Sequence, residues 1–177
     1  ALNFNFNGWA KYKNFQLDKL VPGSVAKHLN LPLTQVTYKG KPVIVEGGAI
    51  DVNGKGTLLT SEECLMHPTI QVRNQGFTKA DYEAVFKEYL GVTNVIWLGD
   101  GIEGDDTHGH IDDLCRFVNE DTIITIVESD PKDANYKPLQ DNLERLQKAK
   151  LENGKSPKIV TLPMPKRLDF DGLRIPA

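Results

Sequence analysis

Residues 43–60, with the sequence VIVEGGAIDVNGKGTLLT, decide the fold that we expect for this chain. Two apolar segments, Val43–Val45 and Gly56–Thr60, flank the turn-prone residues Asn53-Gly54-Lys55. Two β-prone runs separated by such a turn predict a β-hairpin. We therefore expect two antiparallel strands here.

A helix and a third strand are predicted after this hairpin. Apolar side chains recur at helical spacing over residues 78–90, which predicts an amphipathic helix. Thr78 and Asp81 form a capping-box pattern at its start, and Gly91 stands where a left-handed residue ends a helix. The apolar run Val95–Leu98 then predicts a short buried strand. The order is strand, strand, helix, strand.

The same order of predicted elements occurs a second time along the chain. Leu114–Val118 and Thr122–Val127 predict a second hairpin, Tyr136–Leu146 carries a helical apolar stripe, and Ile159–Leu162 predicts the last strand. A shift of 66 residues superposes the two copies and brings Glu46 onto Asp112. A period this long is typical of a propeller-like array of large α/β modules.

The first 38 residues predict only part of such a unit. A weaker helix is expected within residues 15–29, interrupted near Pro22-Gly23, with a strand at Gln35–Tyr38. Residues 2–6 alternate apolar and polar side chains, which predicts a half-buried strand. Because this strand begins the chain, we expect its sheet partner upstream of it.

Composition excludes some classes of function. The chain has 21 Lys and Arg residues and 24 Asp and Glu residues, which gives a formal net charge of -3. This charge argues against a protein that binds nucleic acid through a basic surface. No apolar run approaches the ~20 residues of a membrane span, and the start lacks a signal-peptide pattern. Two cysteines make no disulfide framework, so we expect a cytoplasmic protein.

The segment 99–113 is the most unusual part of the sequence, with six acidic residues, two histidines and four glycines. If residues 108–112 are extended, then His108, His110 and Asp112 share one face and could bind zinc or another divalent ion. A metal-dependent hydrolase is therefore one alternative for this chain.

A second alternative is a carboxylate pair for a flat organic cation. A guanidinium group offers five N–H donors, and carboxylates on two sides can grip it. Glu46 and Asp112 have the repeat-related placement that would supply those carboxylates. His110 could move protons beside them, and glycines 47 and 48 would allow close approach of a ligand.

Four segments resemble the family of agmatine deiminases and bacterial-type peptidylarginine deiminases, and the likeness runs from about Phe4 through Pro165. They are Glu46–Asp51 (EGGAID), Gly56–Leu65 (GTLLTSEECL), Ile96–Ile102 (IWLGDGI) and Gly109–Asp113 (GHIDD). The resemblance implies a pentein fold, an α/β propeller of five ββαβ modules. About two and a half modules are expected here: residues 1–38 in part, 41–98 with Glu46, and 108–163 with His110 and Asp112.

The resemblance also implies a chemistry. Family members hydrolyse a guanidine group without a cofactor, converting agmatine to N-carbamoylputrescine and ammonia in putrescine biosynthesis, or an arginine derivative to its citrulline form. It implies that His110 is the general acid and base and that Glu46 and Asp112 hold the guanidinium. Asp106, four residues before the histidine, is implied to lie near the substrate.

The family's cysteine nucleophile has no counterpart in this sequence. Cys64 and Cys115 stand in apolar contexts and are expected to be small buried residues. We therefore expect the nucleophile outside this chain and the fragment alone to be inactive. The expected partner is a small guanidinium compound, with no nucleic acid or membrane, and a homo-oligomer is possible. A non-catalytic guanidinium-binding fragment remains an alternative.

Overall fold

A computed structural model describes residues 1–176 of the chain. Its α-helices are α1 (Val21–His28), α2 (Glu62–Met66), α3 (Lys79–Leu90) and α4 (Tyr136–Lys148). Its strands are β1 (Leu2–Asn3), β2 (Thr34–Gln35), β3 (Thr37–Tyr38), β4 (Lys41–Pro42), β5 (Asp51–Val52), β6 (Thr57–Ser61), β7 (Asn94–Leu98), β8 (Cys115–Phe117), β9 (Thr122–Val127), β10 (Lys158–Pro163), β11 (Asp169–Phe170) and β12 (Leu173–Arg174). Within residues 1–176, the helices are too short or too polar to cross a membrane.

Two three-stranded sheets have the same topology. In the first, β6 pairs antiparallel with β5 and parallel with β7. In the second, β9 pairs antiparallel with β8 and parallel with β10. Parallel neighbours need a crossover connection, and α3 and α4 supply it. The fold is mixed α/β, as predicted, and the described strands form open sheets rather than a closed one.

Strand β6 lies between two hydrophobic cores. Leu58 packs in a core with Tyr82 and Phe86 of α3, whereas Leu59 packs in a second core with Ile123 and with Leu139 of α4. Successive side chains of a strand point to opposite faces, so neighbouring leucines serve both cores. All five residues of β6 are buried.

Helix α3 has the predicted ends. The Thr78 side chain accepts a hydrogen bond from the Asp81 amide, and the Asp81 carboxylate accepts one from the Thr78 amide. Gly91 has φ 69°, the left-handed conformation that glycine adopts without strain. These local signals confirm the prediction for residues 78–90.

The strand predicted at Val43–Val45 is wrong. The strand that pairs with β6 is β5, and the valines 43 and 45 are buried in the first core instead. The backbone of Ile44 is satisfied by a side chain: its amide donates to Asn74 Oδ1 at 2.9 Å, and its carbonyl accepts from Asn74 Nδ2 at 2.7 Å. Backbone pairing here is a single parallel bridge between Ile44 and Asn5, and the Asn74 side chain takes the place of the antiparallel ladder that the apolar run predicted.

Two predictions near the start of the chain also need correction. Pro22 does not interrupt a helix but stands in the first turn of α1, where a missing N–H breaks no helical hydrogen bond. The first strand covers only Leu2–Asn3, and it pairs parallel with β2 at Thr34–Gln35. The partner that the structure shows for this strand therefore lies downstream in the chain.

Candidate active site

Glu46 is a buried carboxylate held by a buried guanidinium. It follows the buried valines and precedes a 3-10 turn at Gly47–Ala49, which directs its side chain inward. Arg73 Nε lies 3.1 Å from Glu46 Oε1 and 3.3 Å from Oε2. The Arg73 side chain is 0% exposed and that of Glu46 is 7% exposed, so water screens this ion pair weakly.

Arg73 also ties Glu46 to the acidic segment. Its NH1 donates to the carbonyl of Gln71 at 2.9 Å, and its NH2 donates to the carbonyl of Thr107. The sequence gives no signal for this residue, because a single arginine in a polar stretch matches no motif. Its pairing with Glu46 spans 27 positions of the chain and depends on tertiary packing.

His110 lies between two carboxylates. Its Nε2 is 3.5 Å from Glu46 Oε2, and its Nδ1 is 3.8 Å from Asp112 Oδ1. The His110 side chain is buried, whereas that of Asp112 is 38% exposed. The structure thus brings together the three residues that were predicted to act on a guanidinium, with Asp112 on the solvent side.

The surroundings of Glu46 favour its charged form. Burial by itself would raise the pKa of Glu46, but the interaction with His110 and the positive charge of Arg73 outweigh that effect and lower the pKa. An ionised carboxylate beside His110 can orient the imidazole ring.

Gly48 has no side chain, and this leaves room for His110 next to it. A Cβ on Gly48 would lie 2.5 Å from His110 Nδ1 and 2.8 Å from Asp112 Oδ2, closer than real Cβ atoms approach. A Cβ on Gly47 would meet nothing within 4 Å. Of the two predicted glycines, Gly48 is therefore the one that the site requires.

Asp105 organises the segment that carries His110. Its Oδ2 accepts hydrogen bonds from the amides of Gly109 at 2.7 Å and His110 at 3.2 Å. Its Oδ1 accepts from the amide of Thr107 at 2.7 Å and from the Thr107 hydroxyl. The crowding of acidic residues was evident in the sequence, but the role of this particular one was not.

The extended backbone expected for residues 108–112 is wrong. His108 has φ 68°, and residues 111–113 form a 3-10 turn. His108 Nδ1 lies 3.2 Å from the Glu63 carbonyl, and its ring packs against His67 at 4.9 Å between centroids. The shared face proposed for His108, His110 and Asp112 is therefore absent. Among residues 1–176, the possible metal-ligand group that the structure assembles is Glu46, Cys64 and His110.

Asp106 contacts a different part of the chain. Its carboxylate accepts a hydrogen bond from the Tyr12 hydroxyl and lies 3.5 Å from Lys11 Nζ. The bond from Tyr12 is the largest cause that lowers the pKa of Asp106. Its side chain is 53% exposed, whereas those of Glu46 and His110 are buried, and the charge of His110 also acts to lower the pKa of Asp106.

Both cysteines are buried, as the sequence predicted. Burial raises the pKa of the Cys64 thiol to about 12 and also raises the pKa of Cys115. A thiol with so high a pKa carries almost no thiolate near neutral pH. Cys64 lies close to Glu46 and His110, a proximity that the sequence did not indicate.

Comparison with known proteins places the chain in a family. The family profile for the Porphyromonas-type peptidyl-arginine deiminase matches residues 1–177. An agmatine deiminase from Pseudomonas fluorescens is 32% identical over 170 residues, which cover 93% of this chain and 44% of that protein.

Comparison with solved structures also finds deiminases. The substrate-bound C315S agmatine deiminase of C. jejuni matches with a TM-score of 0.86 and 36% identity, over 100% of this chain and 50% of that one. The agmatine deiminase of Enterococcus faecalis matches with a TM-score of 0.84 and 29% identity, over 99% of this chain and 50% of that one. The chain thus spans about half the length of these relatives. It belongs to the Porphyromonas-type peptidyl-arginine deiminase family.

Proposed function

We propose that this chain forms part of a guanidine hydrolase that converts agmatine and water to N-carbamoylputrescine and ammonia. The observation that carries the proposal is His110, buried between the carboxylates of Glu46 and Asp112. The relatives named as agmatine deiminases support the choice of substrate over an arginine derivative.

The reaction needs a nucleophile that these residues do not provide. Because Cys64 and Cys115 are buried with raised thiol pKa values, we assign the nucleophile to a cysteine thiolate outside residues 1–177. The thiolate attacks the guanidinium carbon, His110 protonates the departing nitrogen, and ammonia leaves. His110 then takes one proton from water, whose oxygen bonds to the same carbon. The adduct expels the thiolate and loses its remaining hydroxyl proton to solvent, which leaves the ureido product.

The carboxylates have separate roles in this proposal. Asp112 is partly exposed and has no arginine partner among the described residues, so it is available to bind the guanidinium of a substrate. Glu46 is already paired with Arg73, so its main contribution is to hold His110 and add negative charge behind the substrate. Asp106, at the Tyr12 contact, is assigned to the outer part of the substrate path.

The repeated sheet topology supports a pentein-type α/β propeller for the whole protein. Residues 41–98 and 108–163 are assigned to two ββαβ modules, and residues 1–38 to part of another. The hydrogen bond from the Phe117 amide to Asp51 Oδ2, at 2.6 Å, joins the two sheets at positions that the 66-residue shift makes equivalent. Equivalent contacts between neighbours are what a rotational array requires.

The test is turnover of agmatine by the full-length gene product and by the 177-residue chain. We expect ammonia and N-carbamoylputrescine from the former, unaffected by EDTA, and no turnover by the latter. His110→Ala should lower kcat by about 10²–10⁴-fold, the usual worth of a general acid–base group. The exposed His28 is the matched control, and His28→Ala should leave the rate unchanged.

Two isosteric variants test the carboxylates. If the bound substrate excludes water from its pairs with these carboxylates, Glu46→Gln and Asp112→Asn should each weaken transition-state stabilisation by about 2–5 kcal/mol. Asp112→Asn should raise KM for agmatine, and Glu46→Gln should mainly lower kcat. Wild-type kinetics in both variants, or loss of activity on chelation that zinc restores, would refute the proposal. Agmatine binding without turnover by the full-length protein would instead favour a non-catalytic binding role.

A further inference from the structure

A thiol, an imidazole and a carboxylate meet in the buried interior of the site. One ligand atom each from Glu46, Cys64 and His110 lie within 4.8 Å of one another. All three residues are at least nine-tenths buried, with exposures of 9%, 2% and 5%. His110 Nε2 has no hydrogen-bond partner, which is unusual for a buried nitrogen.

This donor set is the one that zinc and related ions prefer. Zinc binds cysteine sulfur, histidine nitrogen and carboxylate oxygen at about 2.0–2.3 Å, so bound ligands stand roughly 3.5 Å apart. The three atoms would need to close by about 1 Å around such an ion. We propose that Glu46, Cys64 and His110 form a binding site for a thiophilic divalent cation of the zinc class.

The chemistry of binding is an exchange of a proton for the metal. The Cys64 Sγ–H bond breaks, an Sγ–metal bond forms, and the proton passes to solvent. Because burial raises the pKa of the Cys64 thiol to about 12, the empty site holds a neutral thiol at neutral pH.

The charges around Cys64 allow a cation there. The positive charge of Arg73 disfavours a cation beside Cys64. The negative charges of Glu46, Asp105 and Glu63 act on the same thiol and favour a cation there. Because Arg73 offsets the charge of Glu46, the charges of Asp105 and Glu63 leave a negative surrounding for an incoming divalent ion. His110 Nε2, which has no partner, gains a ligand bond without losing a hydrogen bond.

Occupation of this site has a consequence for catalysis. A metal bound to His110 Nε2 takes the lone pair that proton transfer requires, so the bound ion would inhibit. This consequence rests on the proposed function, whereas metal binding itself does not. The two can therefore fail separately.

The test is a titration of the chain with CdCl₂, followed by the ultraviolet charge-transfer absorption of a cadmium–thiolate bond. We expect one equivalent to bind, with the absorption lost in Cys64→Ala and kept in Cys115→Ala, the matched buried cysteine. Cys64→Ala should weaken binding more than about 100-fold, because even outer-shell partners of a metal are worth 10–100-fold. ZnCl₂ should displace the cadmium.

Two further variants separate this site from the neighbouring imidazole pair. Glu46→Gln should weaken binding at least tenfold while keeping the absorption at saturating metal. His67→Ala, beside His108, should change neither. Three results would overturn the assignment. They are the lack of a thiolate absorption in the folded wild-type chain, an absorption that survives Cys64→Ala, and a loss of the absorption in His67→Ala alone. Circular dichroism establishes that each variant is folded.

Discussion

Replacing Arg73 with methionine should destabilise the protein strongly. The Arg73 side chain is 0% exposed, and its guanidinium is the cation that neutralises the buried Glu46 carboxylate. Methionine fills much of the same volume but carries no charge. The change therefore leaves a carboxylate buried beside His110 without its ion-pair partner.

The magnitude follows from the burial of the pair. Removing one partner of a buried ion pair costs about 3–5 kcal/mol, because the other charge stays in a poorly solvating interior. The carbonyls of Gln71 and Thr107 also lose their donors, which favours the upper half of that range. For a chain of this size, the loss corresponds to a fall of roughly 6–20 °C in Tm.

The assay is urea unfolding of the wild type and Arg73→Met across pH. In the wild type, the pKa of Glu46 is lowered on folding, so its stabilising contribution is present above the ordinary value of 4.5 and is lost as pH falls through the folded pKa. In the variant, burial still acts to raise the pKa of Glu46 and the lowering effect of Arg73 is lost, so this pKa should be higher than in the wild type. The stability deficit should therefore be largest near neutral pH and shrink below about pH 4.5.

Arg145 offers a matched control. It also pairs with carboxylates, those of Glu62 and Asp141, but its side chain is 34% exposed. Arg145→Met should cost less than about 1 kcal/mol, as for surface ion pairs. Equal losses in the two variants, or a loss under about 1 kcal/mol for Arg73→Met with no dependence on pH, would refute the reasoning.

Three other predictions follow from single positions. Gly48→Ala should abolish agmatine binding measured by calorimetry, since its Cβ would lie 2.5 Å from His110 Nδ1, whereas Gly47→Ala should bind normally. Burial and neighbouring carboxylates raise the pKa of Asp113 to about 6, so its ionisation opposes folding. Asp113→Asn should therefore raise the free energy of unfolding above that pH and leave it unchanged below the ordinary value of 3.8. Thr78→Ala removes the capping box of α3 and should lower that free energy by about 0.5–2 kcal/mol, measured in urea.

Short-range sequence patterns were enough to predict those helices and strands whose sequence signals lie within one helical turn or one strand. Helix α3 follows from apolar spacing and the reciprocal cap of Thr78 and Asp81, both set by residues at most four apart. Strand β9 matches its predicted bounds, Thr122–Val127. Where distant groups intervened, the same reasoning failed: at Val43–Val45 the Asn74 side chain bonds the Ile44 backbone, and a single parallel bridge to Asn5 forms in place of the predicted strand.

Motifs and the family resemblance were enough to predict the mixed α/β class, the repeated order of elements and the grouping of His110 with Glu46 and Asp112. The folded structure was needed to show that Arg73 neutralises Glu46, that Asp105 holds the segment bearing His110, and that Cys64 lies close to Glu46 and His110. Periodicity and caps act between near neighbours, so a sequence displays them. Burial, ion pairing and close approach arise between residues far apart in the chain, and these exist only once the cores have formed.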